Sequence, residues 1–204
     1  MFYKILRPFM WFIYKITHKV VVFNRKNVIN DGKSIVICNH ISKMDVCVVS
    51  EVHKDKVCYL AKKEWFNNKL FAWVLKRFGV IAIDRDNPSL TSIRDGLKVL
   101  KDGKTLGIFP EGTRNKQNTE IQPFKTGVAM FAIKGQAKIV PIVIHQKIKM
   151  FKTNYAMVGE PFELSEYYGK KFNEDVANEA TNVIYNKMVE LQKELNEKVL
   201  SIKN

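Results

Sequence analysis

Apolar positions along this chain follow two rhythms. Short β-branched runs at Ser34–Cys38, 80–83, 105–109 and 139–144 read as buried strands. Between and after them come longer segments with apolar residues three or four apart. One runs from about Ser89, behind Pro88, to Asp102, where Gly103 stops it, and a second covers about 125–134. The last spans 173–200, where Val176, Ala180, Val183, Ile184, Leu191, Leu195 and Val199 recur at helical spacing. Strands alternating with helices predict an α/β fold, with a mostly parallel or mixed central sheet flanked by helices. The 204 residues, 46% of them hydrophobic, suit a single domain with a substantial core. There is no internal repeat, linker or low-complexity tract.

Two segments carry aromatic residues among cations. In the first, a helical wheel over residues 1–17 gathers Phe2, Ile5, Leu6, Phe9, Ile13 and Ile16 on one side. Lys4, Arg7, Trp11, Tyr14, Lys15 and His18 fall opposite. The cations come too early for a spanning helix of about 20 apolar residues, and no small-residue cleavage site follows. Residues 1–19 are therefore expected to form an amphipathic interfacial helix that touches the membrane through Phe2, Lys4, Arg7, Phe9, Trp11, Phe12 and Lys15, ahead of a domain at 20–204. The second segment, 65–78, holds Trp65, Phe66, Phe71, Trp73 and Phe78; core packing, an acyl chain or lipid would each suit it.

Charge narrows the partners. Thirty-four Lys and Arg against 20 Asp and Glu leave a net charge of +14, which favours an anionic surface. No zinc-finger spacing or RNP-type aromatic motif is present, so membrane rather than nucleic acid is the expected partner. Cys38, Cys47 and Cys58 are odd in number and lie in or beside apolar runs, which predicts reduced thiols in a cytosolic setting.

The chemistry concentrates in two stretches. His40 and Asp45 lie in Asn-His-Ile-Ser-Lys-Met-Asp at 39–45, just after the first predicted strand. In a uniform helix, side chains five apart point about 140° away from each other. Pairing therefore requires His40 in the loop and Asp45 in the first helical turn. The alternative is that Ser42 and Asp45 merely form a capping box. The second stretch, Phe-Pro-Glu-Gly-Thr-Arg at 109–114, leaves another strand at what should be the same sheet edge, and Arg114 offers a fork suited to phosphate. A third strand ends at Asp84 and Arg85. His18, His53 and His145 lack metal-ligand spacing and are expected to be structural or solvated.

These stretches, with Ala-Lys-Lys-Glu at 61–64, Gly-Val-Ile-Ala-Ile-Asp-Arg at 79–85, Phe-Lys-Thr-Gly at 124–127 and Ile-Val-Pro-Ile at 139–142, resemble the glycerophospholipid acyltransferase family, in particular its short bacterial lysophosphatidate-using members. The resemblance covers roughly residues 20–160, and Asn115 stands where many members carry Ser. It implies transfer of an acyl chain from a thioester of acyl carrier protein or coenzyme A to the free sn-2 hydroxyl of 1-acylglycerol-3-phosphate, which makes phosphatidate. Other acceptors, such as glycerol 3-phosphate, would use the same motifs. It further implies catalysis by His40 with Asp45, phosphate binding by Arg114, Arg85 and either Lys62 or Lys63, and a pocket shared by Glu111, Gly112 and Thr113. No metal or other cofactor is implied, and the expected place of work is the cytoplasmic face of the cell membrane, as a peripheral or monotopic protein.

Overall fold

The computed structural model describes residues 12, 14–30, 32–53, 55–84, 88–116 and 120–203. Seven strands, β1 (Lys19–Phe23), β2 (Ser34–Cys38), β3 (Val57–Lys62), β4 (Ile81–Ile83), β5 (Thr105–Ile108), β6 (Lys138–Ile144) and β7 (Thr153–Val158), form one sheet in the order β1-β7-β6-β2-β5-β3-β4. Strands β2 to β6 run parallel, and β7 turns back against β6 and takes β1 with it, so the sheet is mixed. The helices are α1 (Asp45–Val52), α2 (Lys69–Arg77), α3 (Leu90–Lys101), α4 (Gly127–Gly135) and α5 (Glu174–Lys203).

The local signals act as expected. Ser89 caps α3 by accepting the Ser92 N–H at 3.2 Å, and Gly103, at φ 70°, lets the chain leave the helix. Asn173 does the same for α5, taking the Val176 N–H at 3.0 Å. Strands β1, β3 and β7 go beyond the predicted elements. Their sequences, KVVVF, VCYLAK and TNYAMV, are short, and β1 is completed only by pairing Lys19 with Thr153, 134 positions away in sequence. That partner is invisible to local pattern. It also moves Lys19 from the expected N-terminal segment into the sheet.

Both sheet faces are covered. On one, Ile35, Ile37, Leu106, Ile139 and Met157 pack with Leu100 of α3, Phe131 of α4 and Ile184, Met188 and Leu195 of α5. On the other, Val36, Cys38, Ile142 and Ile144 meet Val48, Val49 and Val52 of α1 together with Tyr14. Each fully buried side chain of this size contributes about 1.5–3 kcal/mol of hydrophobic stabilisation.

Phe2, Lys4, Arg7, Phe9 and Trp11 lie outside the described residues, as does Arg85. What is described just before β1 is informative about direction. Tyr14 and His18, from the side expected to be polar, are buried and stack at 4.9 Å, whereas Phe12 and Ile16 are each 62% exposed. Lys15 is exposed as well. Core packing is not what the aromatic α2 segment does: only Ala72 is buried, while Trp65, Leu70, Phe71 and Trp73 stay exposed. Among the described residues no helix is long and apolar enough to cross a membrane.

The tightest point in the sheet gives a direct test of this packing. A Cβ on Gly107 would meet Tyr59 Cε1 at 2.5 Å and Val57 Cγ1 at 2.7 Å. Gly107→Ala should therefore destabilise the protein by about 1–3 kcal/mol in urea unfolding, as expected for overpacking between paired strands.

Candidate active site

Parallel pairing brings the two chemical stretches together. Ile37 of β2 is in register with Ile108 of β5, so the chain leaves both strands at the same edge and at the same height. Past Cys38, Asn39 uses its buried amide to hold β6: its Oδ1 accepts the Ile144 N–H at 2.8 Å and its Nδ2 donates to the Ile144 carbonyl at 3.0 Å. His40 is then free to turn across the edge before α1 begins.

Asp45 sits in the first turn of α1, where a negative charge is favoured by the helix dipole, and is fully buried. Its Oδ2 accepts the Ile41 and Ser42 N–H groups, both at 2.8 Å, and lies 2.9 Å from His40 Nδ1. Ser42 Oγ in turn accepts the Met44 N–H at 3.1 Å. Only one half of a capping box forms, the Ser42 N–H on Asp45, and it coexists with the His–Asp pair on one carboxylate oxygen, while the helix itself starts after Met44 without a side-chain cap. Because that oxygen is already an acceptor, Nδ1 is the protonated nitrogen and Nε2 carries the lone pair. The imidazole is also stacked on Phe109 at 4.2 Å, and its side chain is 12% exposed. A ring so held can exchange one proton through Nε2 with little reorganisation.

The 110–115 turn is clamped to this loop from both ends. Glu111 Oε1 accepts the His40 N–H at 2.6 Å and Oε2 accepts the Gln122 N–H at 3.2 Å. The Asn115 N–H donates to the His40 carbonyl at 2.6 Å, and the Lys125 N–H to the Pro110 carbonyl at 2.8 Å. Gly112 takes φ 72°, and a Cβ there would press on Lys125 Cγ at 3.1 Å. Thr113 and Arg114 remain exposed beside His40. An apolar cavity of about 350 Å³, lined by Leu60, Ile83, Ile108, Phe109, Val128 and Phe131, adjoins the stacked pair.

Comparison with known proteins agrees with this arrangement. Residues 19–145 match the Acyltransferase family. The chain belongs to that family. It is 30% identical over 184 residues to the 1-acyl-sn-glycerol-3-phosphate acyltransferase of Bacillus subtilis, covering 87% of this chain and 90% of that one. To the enzyme of the same name from Helicobacter pylori it is 36% identical over 124 residues, 60% of this chain and 52% of that one. In fold it resembles the crystal structure of the 1-acyl-sn-glycerophosphate (LPA) acyltransferase from Thermotoga maritima, with a TM-score of 0.63 at 22% identity, over 85% of this chain and 72% of that one. The chain is thus an acyltransferase, and the α/β domain with a mixed central sheet is the fold it shares with that neighbour.

For an acyltransferase of this kind, the expected site residues fall into three sets. His40, Asp45, Gly112, Thr113 and Arg114 converge on the β2–β5 edge. Lys62 and Lys63 leave β3 at the same edge, on the far side of β5, with Lys62 paired to Glu64 at 3.2 Å and Lys63 to Asp84. Arg85 lies outside the described residues. Glu111 is 4% exposed and both its oxygens are engaged by backbone N–H groups, so it ties the two loops together. Asn39, Phe109 and Asn115 are further members of the site. Their contacts are with residues 69 to 105 positions away, which is why no local signal assigns them a role.

The remaining histidines and thiols stay outside. His18 and His53 are buried, burial pushing the His53 ring down to about 4, and His145 Nδ1 lies 2.9 Å from Asn196 Oδ1. All three cysteines are free. Among the described residues, no three His, Cys, Asp or Glu side chains come together as metal ligands.

Burial pushes the Glu111 carboxyl up to about 7, against the two backbone hydrogen bonds, with the nearby Asp45 charge acting in the same upward direction. A raised acid binds its proton more tightly in the folded state. Its contribution to stability is present at acidic pH and is lost as pH rises through about 7. Relative to Glu111→Gln, which cannot ionise, the wild-type protein should lose melting temperature as pH goes from about 4 to 8, a range that brackets the rise from 4.5 to about 7. Parallel melting curves of the two proteins would show no such divergence if Glu111 were ionised throughout.

Proposed function

We propose that this acyltransferase moves an acyl chain from a thioester of acyl carrier protein or coenzyme A to the sn-2 hydroxyl of 1-acylglycerol-3-phosphate, giving phosphatidate. The observation that carries the reading is the 2.9 Å contact from His40 Nδ1 to Asp45, which leaves Nε2 as the ring nitrogen with a lone pair for a substrate, in a site with an exposed Arg114. Nε2 accepts the proton of the acceptor hydroxyl as that oxygen attacks the thioester carbon. The new C–O bond forms, the C–S bond breaks, and the proton passes from His40 to the departing thiolate. Asp45 keeps the ring in the required tautomer and balances the charge it briefly acquires.

The substrate supplies the alcohol, so no protein nucleophile is needed. Arg114, together with Arg85 and with Lys62 or Lys63, holds the phosphate and so places the hydroxyl at Nε2. The apolar cavity next to Phe109 is the space for an acyl chain. The relatives' names support the acceptor class, and the net charge of +14, with the outward Phe12 and Ile16, supports work at an anionic membrane through the N-terminal segment. The cytoplasmic face follows from the cytosolic thioesters that this reaction consumes.

Two kinetic experiments test this reading. His40→Ala should lower turnover by about 10² to 10⁴ while the protein stays folded, which is the usual loss for a general base. Asp45→Asn should follow it; full activity with only a lower melting temperature would reduce Asp45 to a helix cap. In the second, Arg114→Ala should raise the apparent KM for lysophosphatidate and lower kcat, with Arg114→Lys milder, because a displaced phosphate displaces the hydroxyl as well. Unchanged kinetics in Arg114→Ala would put the phosphate elsewhere.

A further inference from the structure

The connection from β6 to β7, residues 145–152, is built to display two apolar side chains. Met150 is 55% exposed and Phe151 is 74% exposed. Phe151 also adopts φ 55°, a left-handed conformation that is strained for a bulky side chain and that glycine would take without cost. A phenylalanine in this place is therefore unfavourable twice over in water, through its backbone and through its ring.

The loop is nevertheless firmly held. Asn154, 1% exposed, accepts the Lys149 N–H on Oδ1 at 2.8 Å, and its Nδ2 faces the carbonyls of Lys149 at 3.0 Å, Lys152 at 2.9 Å and Lys19 at 3.2 Å. The Phe151 N–H reaches the Thr17 carbonyl at 2.8 Å, which joins the loop to the segment that exposes Phe12 and Ile16. A buried amide that fixes four backbone groups at the base of a strained, exposed ring is a device for presenting that ring. Strain of this sort persists where the surroundings impose it and concentrates at functional positions.

Position and charge say what receives it. β6 is parallel to β2, so the loop emerges at the same edge as His40, and the Asn39 bonds to Ile144 link its root to the catalytic loop. Lys147, Lys149 and Lys152 flank the tip, and no acidic residue occurs from 145 to 159. Apolar tips ringed by lysine match the boundary between acyl chains and anionic headgroups. On the opposite flank of this edge, Trp65 and Leu70 are exposed too.

We propose that Met150 and Phe151 form a second membrane contact, inserting into an anionic phospholipid surface so that the edge carrying His40 faces the lipid that holds its acceptor. This rests on the reading of the protein as a membrane-surface acyltransferase but not on residues 1–11. The full-length protein is mixed with vesicles of phosphatidylcholine containing phosphatidylglycerol, and binding is measured by co-sedimentation beside melting temperature and mass in solution. The wild type should bind, Met150→Ser/Phe151→Ser should bind roughly tenfold more weakly, the loss expected for withdrawing one or two apolar side chains from lipid. Phe151→Gly should also bind more weakly, with an unchanged or higher melting temperature because the strain is gone. A wild type that binds with both variants binding equally well overturns the proposal alone, as does a wild-type dimer that the variants convert to monomer, since the occupant is then a second copy. Failure of the wild type itself to bind overturns the membrane reading along with it.

Discussion

The parallel pairing of β2 with both β5 and β6 is the constraint on which the site depends. In-register parallel strands must deliver their next residues to one edge, and here they deliver a histidine, a glutamate and an arginine within six residues of a strand end. The same pairing creates a difficulty. Backbone N–H groups just past the strands lose their ladder partners, and burial denies them water. Asp45 answers for Ile41 and Ser42, Glu111 for His40 and Gln122, and Asn39 for Ile144. Orienting the imidazole is thus inseparable from satisfying the loops around it.

Two buried carboxylates serve this edge in different environments. Asp45 takes three donors on a single oxygen in the first turn of a helix. Glu111 has two backbone donors, little access to water and the Asp45 charge nearby, and burial wins, raising its carboxyl towards neutrality. The pair divides the work: one carboxylate sets the ring tautomer, while the other fastens the arginine-bearing turn against the ring's own backbone. A change at Glu111 would therefore act on catalysis through the relative placement of two loops, without touching a substrate.

Exposed apolar side chains are distributed with the same economy. Among the described residues the flat sheet faces are covered by α1 and the α3–α5 layer, and several exposed apolar side chains lie at the His40 edge, Phe12, Ile16, Met150 and Phe151 on one flank and Trp65 and Leu70 on the other. Lysines accompany each group. In the proposed reaction, whose acceptor has one end in a bilayer, such a rim shortens the path from lipid to His40, and this connects the membrane proposals to the catalytic one.

Much of this was legible in the chain, and what was not shares one physical cause. Four strands, three helices, the helix caps and the His40/Asp45 and Glu111/Arg114 motifs follow from local signals: β-branched runs, 3.6-residue periodicity, and turn residues whose conformational preferences act over a few positions. Strand β1 was hidden because its partner, β7, lies across the whole domain, and a five-residue run has no identity as a strand until that edge is there to receive it. The outward aromatics of α2 defeated pattern reading for the same reason, since amphipathicity says that a helix has two faces and not which of them meets the core. Residue types and spacing thus determined what chemistry the chain can do. Only tertiary structure decided that one Asp45 oxygen serves the loop N–H groups and the histidine at once, that Glu111 ties two loops together, and that Nε2 is the ring nitrogen left outside the Asp45 contact, because each of these depends on which groups need a partner when the strands come together.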